Sequence, residues 1–313
     1  MRYVLKPGDM VQIIAPAGKT PEPQQDVEKV LELLKTWGLV GRASSLIWGE
    51  NKDYPELSNT DAKRFEDLKN ALVDPQVKAI WCIRGGYGTL RLFSDLKKYF
   101  PVPPAEKLFI GFSDITLLHL YFNQVWGWQT IHGPVAIQAV NNKLAPADLE
   151  NLRKIIFGEV QEILINDLTP LNHAAKMSLT LSGQMTGGNL TVISRLFGTP
   201  YQIKTQHKIL VLEDVEEPFR KIDGMLQQFI LTGLLEPHNK PAAVILGDFS
   251  NANAEQLQAI ENCLHEFAEK LTAENIPVLR CLGIGHGQQN HPFIEGGVGE
   301  LQLGEVSSQL LQS

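Results

Sequence analysis

The chain has little cysteine and no long apolar run. Its 313 residues include three cysteines, Cys82, Cys263 and Cys281, an odd number without the spacing of metal ligands, and we interpret them as reduced packing residues. No apolar run approaches the roughly 18 residues of a membrane helix, and the N-terminus lacks the apolar core of a signal peptide. The sequence therefore predicts a cytoplasmic protein that does not have a membrane as its partner.

Positive charge is also scarce. The chain has 28 lysine and arginine residues against 35 acidic ones, a net charge of -7, and no run of basic residues. This balance argues against nucleic acid as a partner and favours a small substrate. Hydrophobic residues make up 43% of the sequence, which at this length is enough for the cores of two medium-sized domains.

The first half alternates short apolar runs with helical patterns. Strand-like runs at residues 11–15, 77–83 and 108–112 are separated by segments in which apolar residues recur at helical spacing. This alternation predicts an α/β domain over residues 1–150, with a largely parallel sheet covered on both faces. Sites in such sheets form at the carboxyl ends of strands, so the residues that follow each strand are the candidates for a functional site.

The second half predicts a smaller domain of mixed α/β type over residues 184–313. Strand-like runs separated by helical patterns lie at residues 208–213, 242–246 and 276–282. Near the end of the chain, residues 293–303 resemble a hairpin with a glycine-rich turn. Residues 151–183 are less regular, and we interpret them as the passage between the two domains.

The segment Gly111-Phe112-Ser113-Asp114 joins an apolar run to a helical one. A serine at a strand-to-helix turn exposes its hydroxyl at the sheet edge and has its amide near a helix N-terminus, as the nucleophile of an acyl-transfer enzyme does. The same position also suits a serine that caps the helix, because its side-chain oxygen satisfies free backbone donors. The local sequence leaves both roles open for Ser113.

A glycine-rich segment, Arg84-Gly85-Gly86-Tyr87-Gly88, follows another predicted strand. Its spacing does not match a dinucleotide fingerprint, and Ala17-Gly18-Lys19-Thr20 lacks the first glycine of a phosphate-binding loop. Consecutive glycines let backbone amides approach a ligand, and two amides aimed at one point form an oxyanion hole. A simple tight turn is the alternative.

A nucleophilic serine needs a base, and the base needs an orienting acceptor. Of eight histidines, His286 stands out because it lies in a glycine-flanked loop directly after an apolar strand, and His132, which also follows an apparent strand, is its main rival. For the acceptor, Glu213 ends a strongly apolar strand, where a carboxylate is costly unless it is paired. Glu216 and Glu217 lie beyond that strand, and we expect them to be solvated.

A metal site is the alternative use of the same region. His286, His291 and Glu295 lie within ten residues of one another, but their spacing matches no zinc signature. We therefore expect neither a metal nor another cofactor, while a metallohydrolase built on these three side chains stays open as a second hypothesis.

Seven motifs, taken in order, resemble those of the LD-carboxypeptidases, which are serine peptidases of murein recycling. They are residues 14–18, 84–88, 111–114, 132–134, 187–190, 209–214 and 285–286. The resemblance implies an α/β N-terminal domain that carries the nucleophile Ser113, and a smaller C-terminal domain that carries the acid Glu213 and the base His286. It further implies a site in the cleft between the domains, and a homodimer.

The resemblance also implies a reaction, in which Ser113 attacks a peptide carbonyl and forms an acyl-enzyme. The backbone amides of Asp114 and Gly86 would receive the oxyanion. Arg84, together with Gly85, is the candidate for binding the free carboxylate of the substrate, and a structural ion pair is the alternative role for Arg84. The implied substrate is a cytosolic murein tetrapeptide, from which the terminal D-alanine is released.

Two alternatives of other kinds remain open. A related branch uses the same triad to cleave the amide linkage of the peptide-nucleotide antibiotic microcin C, but the compact passage between Gly188 and Glu213 leaves no obvious room for the extra loop of that branch. A non-catalytic module that binds murein peptides or sugars would share the same two-domain cleft. We favour the peptidase of murein recycling.

Overall fold

The computed structural model describes residues 3–141, 144–160, 162–251 and 253–312. Residues 1, 2, 142, 143, 161, 252 and 313, which the predicted N-terminus and domains include, lie outside these ranges. The chain divides into two compact units, Met1–Glu159 and Val160–Ser313. Among the described residues, no helix combines the length and the apolar character that crossing a bilayer requires.

The first unit alternates strands and helices, as predicted. Its elements are β1 (Met10–Ile14), α1 (Pro23–Thr36), β2 (Val40–Ala43), α2 (Asp61–Val73), β3 (Val77–Cys82), α3 (Phe93–Tyr99), β4 (Leu108–Gly111), α4 (Thr116–Tyr121), β5 (Thr130–His132) and α5 (Pro146–Ile156). Short helical turns lie at Ser45–Trp48, Thr89–Leu92, Ser113–Ile115 and Phe122–Trp126.

These strands form a parallel sheet in the order β5-β4-β3-β1-β2. Most residues of β1, β3 and β4 are buried, because helices cover the sheet with apolar residues at helical spacing. From β1 the chain continues to β2 on one side of the sheet and then to β3, β4 and β5 on the other side, so the direction of the connections reverses between β1 and β3. In open parallel sheets, a reversal of this kind leaves a crevice at the carboxyl ends of the strands, where ligands bind.

Helix α2 packs beside this crevice. It begins at Asp61 because the side-chain oxygen of Thr60 accepts a hydrogen bond from the amide of Lys63 at 3.4 Å. Its buried face carries Phe65 and Leu68, which are core residues, and also Arg64. A buried arginine on an otherwise apolar face must find hydrogen-bond acceptors. Those of Arg64 are the carboxylate of Asp61, at the start of the same helix, and backbone carbonyls in the loops after β1 and β3.

The second unit is built around a closed barrel with strand order β10-β6-β13-β12-β7-β8-β9. Its elements are β6 (Ile163–Pro170), β7 (Thr180–Asn189), α6 (Leu190–Ser194), β8 (Ile209–Val215), α7 (Phe219–Leu231), β9 (Ala243–Ser250), α8 (Ala254–Thr272), β10 (Val278–Arg280), β11 (Phe293–Glu295), β12 (Val298–Gln302) and β13 (Ser308–Gln312). Its core contains buried apolar residues from the barrel strands, among them Met185, Ile209, Val211, Ile245 and Leu301.

The structure differs from the sequence interpretation in two places of this unit. Residues 151–183, expected as an irregular passage, contain the end of α5, all of β6 and the start of β7. The sequence of β6, ILINDLTP, ends in polar residues and a proline without regular alternation, so it resembles a loop although it pairs with β10 and β13. The expected hairpin is also different, because the partners of β12 are β7 and β13, on either side, rather than β11.

Candidate active site

Ser113 lies at a strained turn between β4 and α4. Its φ is +65°, in the left-handed region that non-glycine residues rarely adopt, and such a residue costs on the order of 1–3 kcal/mol. The cap position of this turn is Phe112, with no side-chain cap hydrogen bond, so the helix-cap role does not explain Ser113. A strained serine after a buried strand and before a helix has the geometry of a nucleophile turn.

The glycine-rich segment approaches this serine closely. A Cβ atom added at Gly85 would lie 2.7 Å from the Cβ and 2.9 Å from the Oγ of Ser113. Gly86 has a φ of +103° and is exposed. The amide of Gly18, in the loop after β1, donates to the carbonyl of Gly85 at 2.9 Å. The loops after β1, β3 and β4 therefore meet, and glycine is required where the backbone passes Ser113.

Arg84 has an exposed side chain at the start of this turn. Its Nη1 atom donates a hydrogen bond to the carbonyl of Lys19 at 2.6 Å. The contact fixes one edge of the guanidinium beside the loop after β1. A planar group with several donors, held in this way, suits the binding of a carboxylate.

In the second unit, Glu213 and His286 are in direct contact. Glu213 belongs to β8 and is fully buried, and His286 lies in the loop that follows β10. The Nδ1 atom of His286 lies 2.6 Å from Oε2 of Glu213. An ionised carboxylate can only accept, so Nδ1 carries the proton. In the neutral ring, Nε2 is then the basic nitrogen, and the side chain of His286 is 16% exposed.

Three carboxylates surround His286. Burial by itself lowers the pKa of His286, but the negative charges of Glu213, Asp214 and Asp248 outweigh it, so the pKa is raised. Burial, helped by the charge of Glu213, also raises the pKa of Asp214 to about 6. Asp214 accepts hydrogen bonds from the amide and the hydroxyl of Thr191, both at 2.8 Å, so it ties β8 to the start of α6.

Glycines let the His286 loop pack against the ends of β8 and β9. A Cβ atom at Gly285, whose φ is +141°, would lie 2.9 Å from the Cβ of Asp248. One at Gly247 would lie 2.5 Å from the carbonyl oxygen of Ile284 and 3.0 Å from the Cβ of Glu213. The amide of Asp248 donates to the carbonyl of Ile284 at 2.6 Å. The loop position of His286 thus depends on small residues and on Asp248.

The rival base, His132, is fully buried in β5, where its ring contacts Phe112 and His119 with centroids 6.1 Å apart in each case. A catalytic base must reach the substrate, so this burial favours His286 over His132. Neighbouring His119 is also buried, and its pKa is lowered to about 4 by burial. The Nε2 atom of His119 donates to the carbonyl of Gly111 at 2.8 Å, which supports the strand before Ser113.

The proposed metal ligands have separate partners. Within the described ranges, no group of three histidine, cysteine or acidic residues could hold a metal ion. His286 contacts Glu213, while Nε2 of His291 lies 3.7 Å from Oδ2 of Asp167. Glu295 accepts a hydrogen bond from the amide of Gly187 at 2.7 Å. The cysteines are free, with Cys82 and Cys281 buried as expected.

Arg64, Thr89 and Asp248 belong to these regions but were missed in the sequence. Arg64 is buried in α2 and donates to the carbonyls of Pro16 and Gly88, and nothing in its helical pattern predicts this. Thr89 is also buried, and its contacts are long-range. Asp248 has the same sequence signal as Glu213, because it is an acidic residue that follows an apolar run, here residues 242–246. Glu217, expected as solvated, is partly buried and bonds Lys221 at 2.9 Å.

A strained serine after a parallel strand and a histidine bonded to a buried glutamate are the functional groups that a serine hydrolase needs. Family profiles match both units: that of the LD-carboxypeptidase N-terminal domain covers residues 11–133, and that of the LD-carboxypeptidase C-terminal domain covers residues 182–301. The chain belongs to the LD-carboxypeptidase family and is a carboxypeptidase. The resemblance found in the seven motifs is confirmed.

Individual proteins agree with this assignment. A murein tetrapeptide carboxypeptidase of Pseudomonas aeruginosa is 32% identical over 249 residues, which are 78% of this chain and 78% of that protein. A Rickettsia conorii protein named as a carboxypeptidase is 38% identical over 285 residues, 91% of this chain and 85% of that protein.

Two solved structures share the fold. A muramoyltetrapeptide carboxypeptidase from Oxalobacter formigenes aligns with a TM-score of 0.78 and 24% identity, over 97% of this chain and 98% of that one. The microcin C7 self-immunity protein aligns with a TM-score of 0.78 and 18% identity, over 99% of this chain and 98% of that one. At these identities, the likeness concerns the fold alone.

Proposed function

We propose that the protein is a serine LD-carboxypeptidase that releases the terminal D-alanine from murein tetrapeptides, with Ser113, His286 and Glu213 as its catalytic residues. The observation that carries the proposal is the 2.6 Å contact between Nδ1 of His286 and Oε2 of Glu213. It leaves Nε2 as the basic nitrogen, which is the arrangement that a serine nucleophile needs. Support for the substrate comes from the relative named as a murein tetrapeptide carboxypeptidase.

The reaction proceeds in two halves. Nε2 of His286 takes the hydroxyl proton of Ser113 as Oγ attacks the carbonyl carbon of the scissile amide, and the backbone amides of Asp114 and Gly86 stabilise the oxyanion. The carbon–nitrogen bond then breaks, and His286 gives its proton to the amine of the departing D-alanine. A water molecule, deprotonated by His286, attacks the acyl-enzyme, which yields the tripeptide carboxylate and restores Ser113.

The free carboxylate of D-alanine is bound by Arg84, with Gly85 lining the same turn. The exposed guanidinium beside the Gly85-Gly86 turn supports this role. We further propose that the enzyme works on cytosolic peptides released during murein recycling and that it forms a homodimer, as the family resemblance implies. Sedimentation velocity of the purified protein tests the dimer, and fractionation of producing cells tests the compartment.

Mass spectrometry of a tetrapeptide digest tests the activity itself. The wild-type enzyme should convert a murein tetrapeptide to a tripeptide with the loss of one alanine. Ser113→Ala should abolish the conversion, while Ser94→Ala, which changes an exposed serine of α3 in the same unit, should leave it intact. Alanine release by a correctly folded Ser113→Ala protein would overturn the proposal.

The same preparation separates the alternatives. An aminoacyl sulfamoyl nucleotide offered as the substrate tests the microcin-type amide hydrolase, which would cleave it in preference to the tetrapeptide. Loss of activity on dialysis against a chelator, restored by a divalent metal, would support the metallohydrolase. Calorimetric binding of the tetrapeptide without turnover, even at high protein concentration, would indicate a binding module instead.

A further inference from the structure

The side chain of Asp114 has no part in the mechanism above, which uses only its backbone amide. It is 1% exposed, and its Oδ2 atom accepts a hydrogen bond from the amide of Thr89 at 2.9 Å. In return, the hydroxyl of Thr89 donates to the backbone carbonyl of Asp114 at 2.7 Å. The residue after Ser113 is therefore joined twice to the residue that follows the Gly85–Gly88 turn.

The same turn is held at other points. The carbonyl of Gly88, whose φ is +127°, accepts a hydrogen bond from Nη1 of Arg64 at 3.0 Å. The buried Arg64 guanidinium forms an ion pair with Asp61 at 2.5 Å, and the charge of Asp114 adds a weaker attraction, so the cost of burying Arg64 is partly offset. At the start of the turn, the carbonyl of Gly85 accepts from the amide of Gly18. Of these bonds, those between Asp114 and Thr89 connect the turn directly to the serine loop.

We infer that Asp114 is a positioning residue, whose carboxylate and backbone carbonyl act together through Thr89 to hold the Gly85–Gly88 turn at a fixed distance from Ser113. The inference rests on the proposed function, in which the amides of Asp114 and Gly86 bind the oxyanion together. Oxyanion donors are effective only within a few tenths of an ångström of their places. Loosening the turn should therefore weaken transition-state binding far more than ground-state binding.

The first experiment replaces the carboxylate. Asp114→Ala should lower kcat on the tetrapeptide about 100-fold, with KM changed less than about threefold. The rate at which a fluorophosphonate labels Ser113 should fall by a similar factor, because the phosphoryl oxygen uses the same donors. The matched control is Asp67→Ala, which removes a different buried carboxylate of the same unit, on α2 and bonded to Ser44. It should change thermal unfolding but neither kcat nor labelling.

A second pair of variants tests the other bond, from the Thr89 hydroxyl to the backbone carbonyl of Asp114, and it keeps the inference testable if Asp114→Ala does not fold. Thr89→Val keeps the shape and loses the hydroxyl, and it should lower kcat and the labelling rate about tenfold. Thr89→Ser keeps the hydroxyl and should restore both. Equal rates in the valine and serine variants, or a wild-type rate in a folded Asp114→Ala protein, would overturn the inference.

Failure of the proposed function has a different signature. If the wild-type protein is labelled at Ser113 but releases no alanine, the substrate is wrong, and the labelling rates of the four variants still decide the role of Asp114. If Ser113 is not labelled at all in the wild type, the nucleophile is wrong, and the inference falls with it.

Discussion

Nδ1 of His286 lies 2.6 Å from Oε2 of Glu213, and the glutamate is fully buried at the end of β8. A buried carboxylate is costly unless protein groups hydrogen-bond to it. An imidazole bonded to a carboxylate through Nδ1 has a fixed tautomer and a fixed ring plane. His286 therefore offsets the cost of burying Glu213, and Glu213 fixes the orientation of His286.

Glu213→Gln should reduce kcat by about a thousandfold or more, because an amide neither fixes the tautomer of His286 nor stabilises its positive charge. The measurement is steady-state release of D-alanine at saturating substrate. Glu217→Gln is the matched control, since it makes the same change at a nearby glutamate that bonds Lys221 on α7, and kcat should be unchanged. Similar losses in the two variants would show that Glu213 has no special role.

The acid limb of the activity profile should respond to Asp248. A general base must be neutral, so kcat/KM rises with pH through the pKa of His286 in the free enzyme. Burial lowers this pKa, but Glu213, Asp214 and Asp248 together raise it above the ordinary value for histidine. Asp248→Asn removes one of the three negative charges, so the midpoint of the acid limb should move to lower pH.

The control for this experiment is Asp167→Asn. Asp167 pairs with His291, not with His286, and its loss should leave the midpoint unchanged. A midpoint that stays at the wild-type pH in Asp248→Asn would mean that the acid limb belongs to another group. A change in kcat/KM at all pH values without a shift would indicate a packing role for Asp248 against the Gly285 loop.

Glycine at position 85 is required by the close approach of Ser113. Gly85→Ala places a methyl group 2.7 Å from the Cβ of Ser113, so one of the two loops must move, and a displacement of about 1 Å can cost about 100-fold in rate. We expect kcat to fall by roughly that factor while the far-ultraviolet spectrum is unchanged. The readouts are D-alanine release and circular dichroism.

Gly224→Ala is the matched glycine substitution. Gly224 lies within α7, with no atom within 4 Å of an added Cβ, so alanine should raise the free energy of unfolding by roughly 0.5–1 kcal/mol and leave kcat unchanged. If both alanine variants keep full activity, the contact between Gly85 and Ser113 does not constrain the site.

Local patterns predicted much of the molecule because its central strands are nearly continuous apolar runs. β3, β4 and β8 are almost wholly buried, so their apolar sequences mark them clearly. Ser113 follows β4, and Glu213 follows the apolar part of β8, which is why both stood out as candidates. β6 was missed because six of its eight residues are exposed or partly exposed on the barrel, where polar side chains are tolerated.

Contacts distant in sequence could not be predicted in this way. Arg64 is 24 residues from Gly88, and Asp114 is 25 residues from Thr89, so no periodicity connects the partners. The closed barrel is another example, since β6 pairs with β10 and β13 at the far end of the chain. Asp248 differs from these residues, because it follows an apolar run as Glu213 does and could have been predicted from that position.

Stability of the first unit should depend on the protonation of His119. Burial lowers the pKa of His119 to about 4 in the folded state, against about 6.5 in the unfolded chain, so the unfolded state binds more protons between these values. The stability that the neutral ring contributes is fully present above the pKa of His119 in the unfolded chain, and it decreases as the pH falls below that value. Between pH 8 and pH 5 this loss should be about 2 kcal/mol.

The pKa of Asp67, raised to about 6 by burial, gives an opposite trend in the same unit, so the effect of His119 must be measured as a difference between proteins. All five tryptophans lie in the first unit, and their fluorescence in urea reports its unfolding. His119→Gln should be destabilised at pH 8 by an amount that shrinks by about 2 kcal/mol at pH 5. A pH-independent difference for His119→Gln would mean that the buried ring is not kept neutral by the fold.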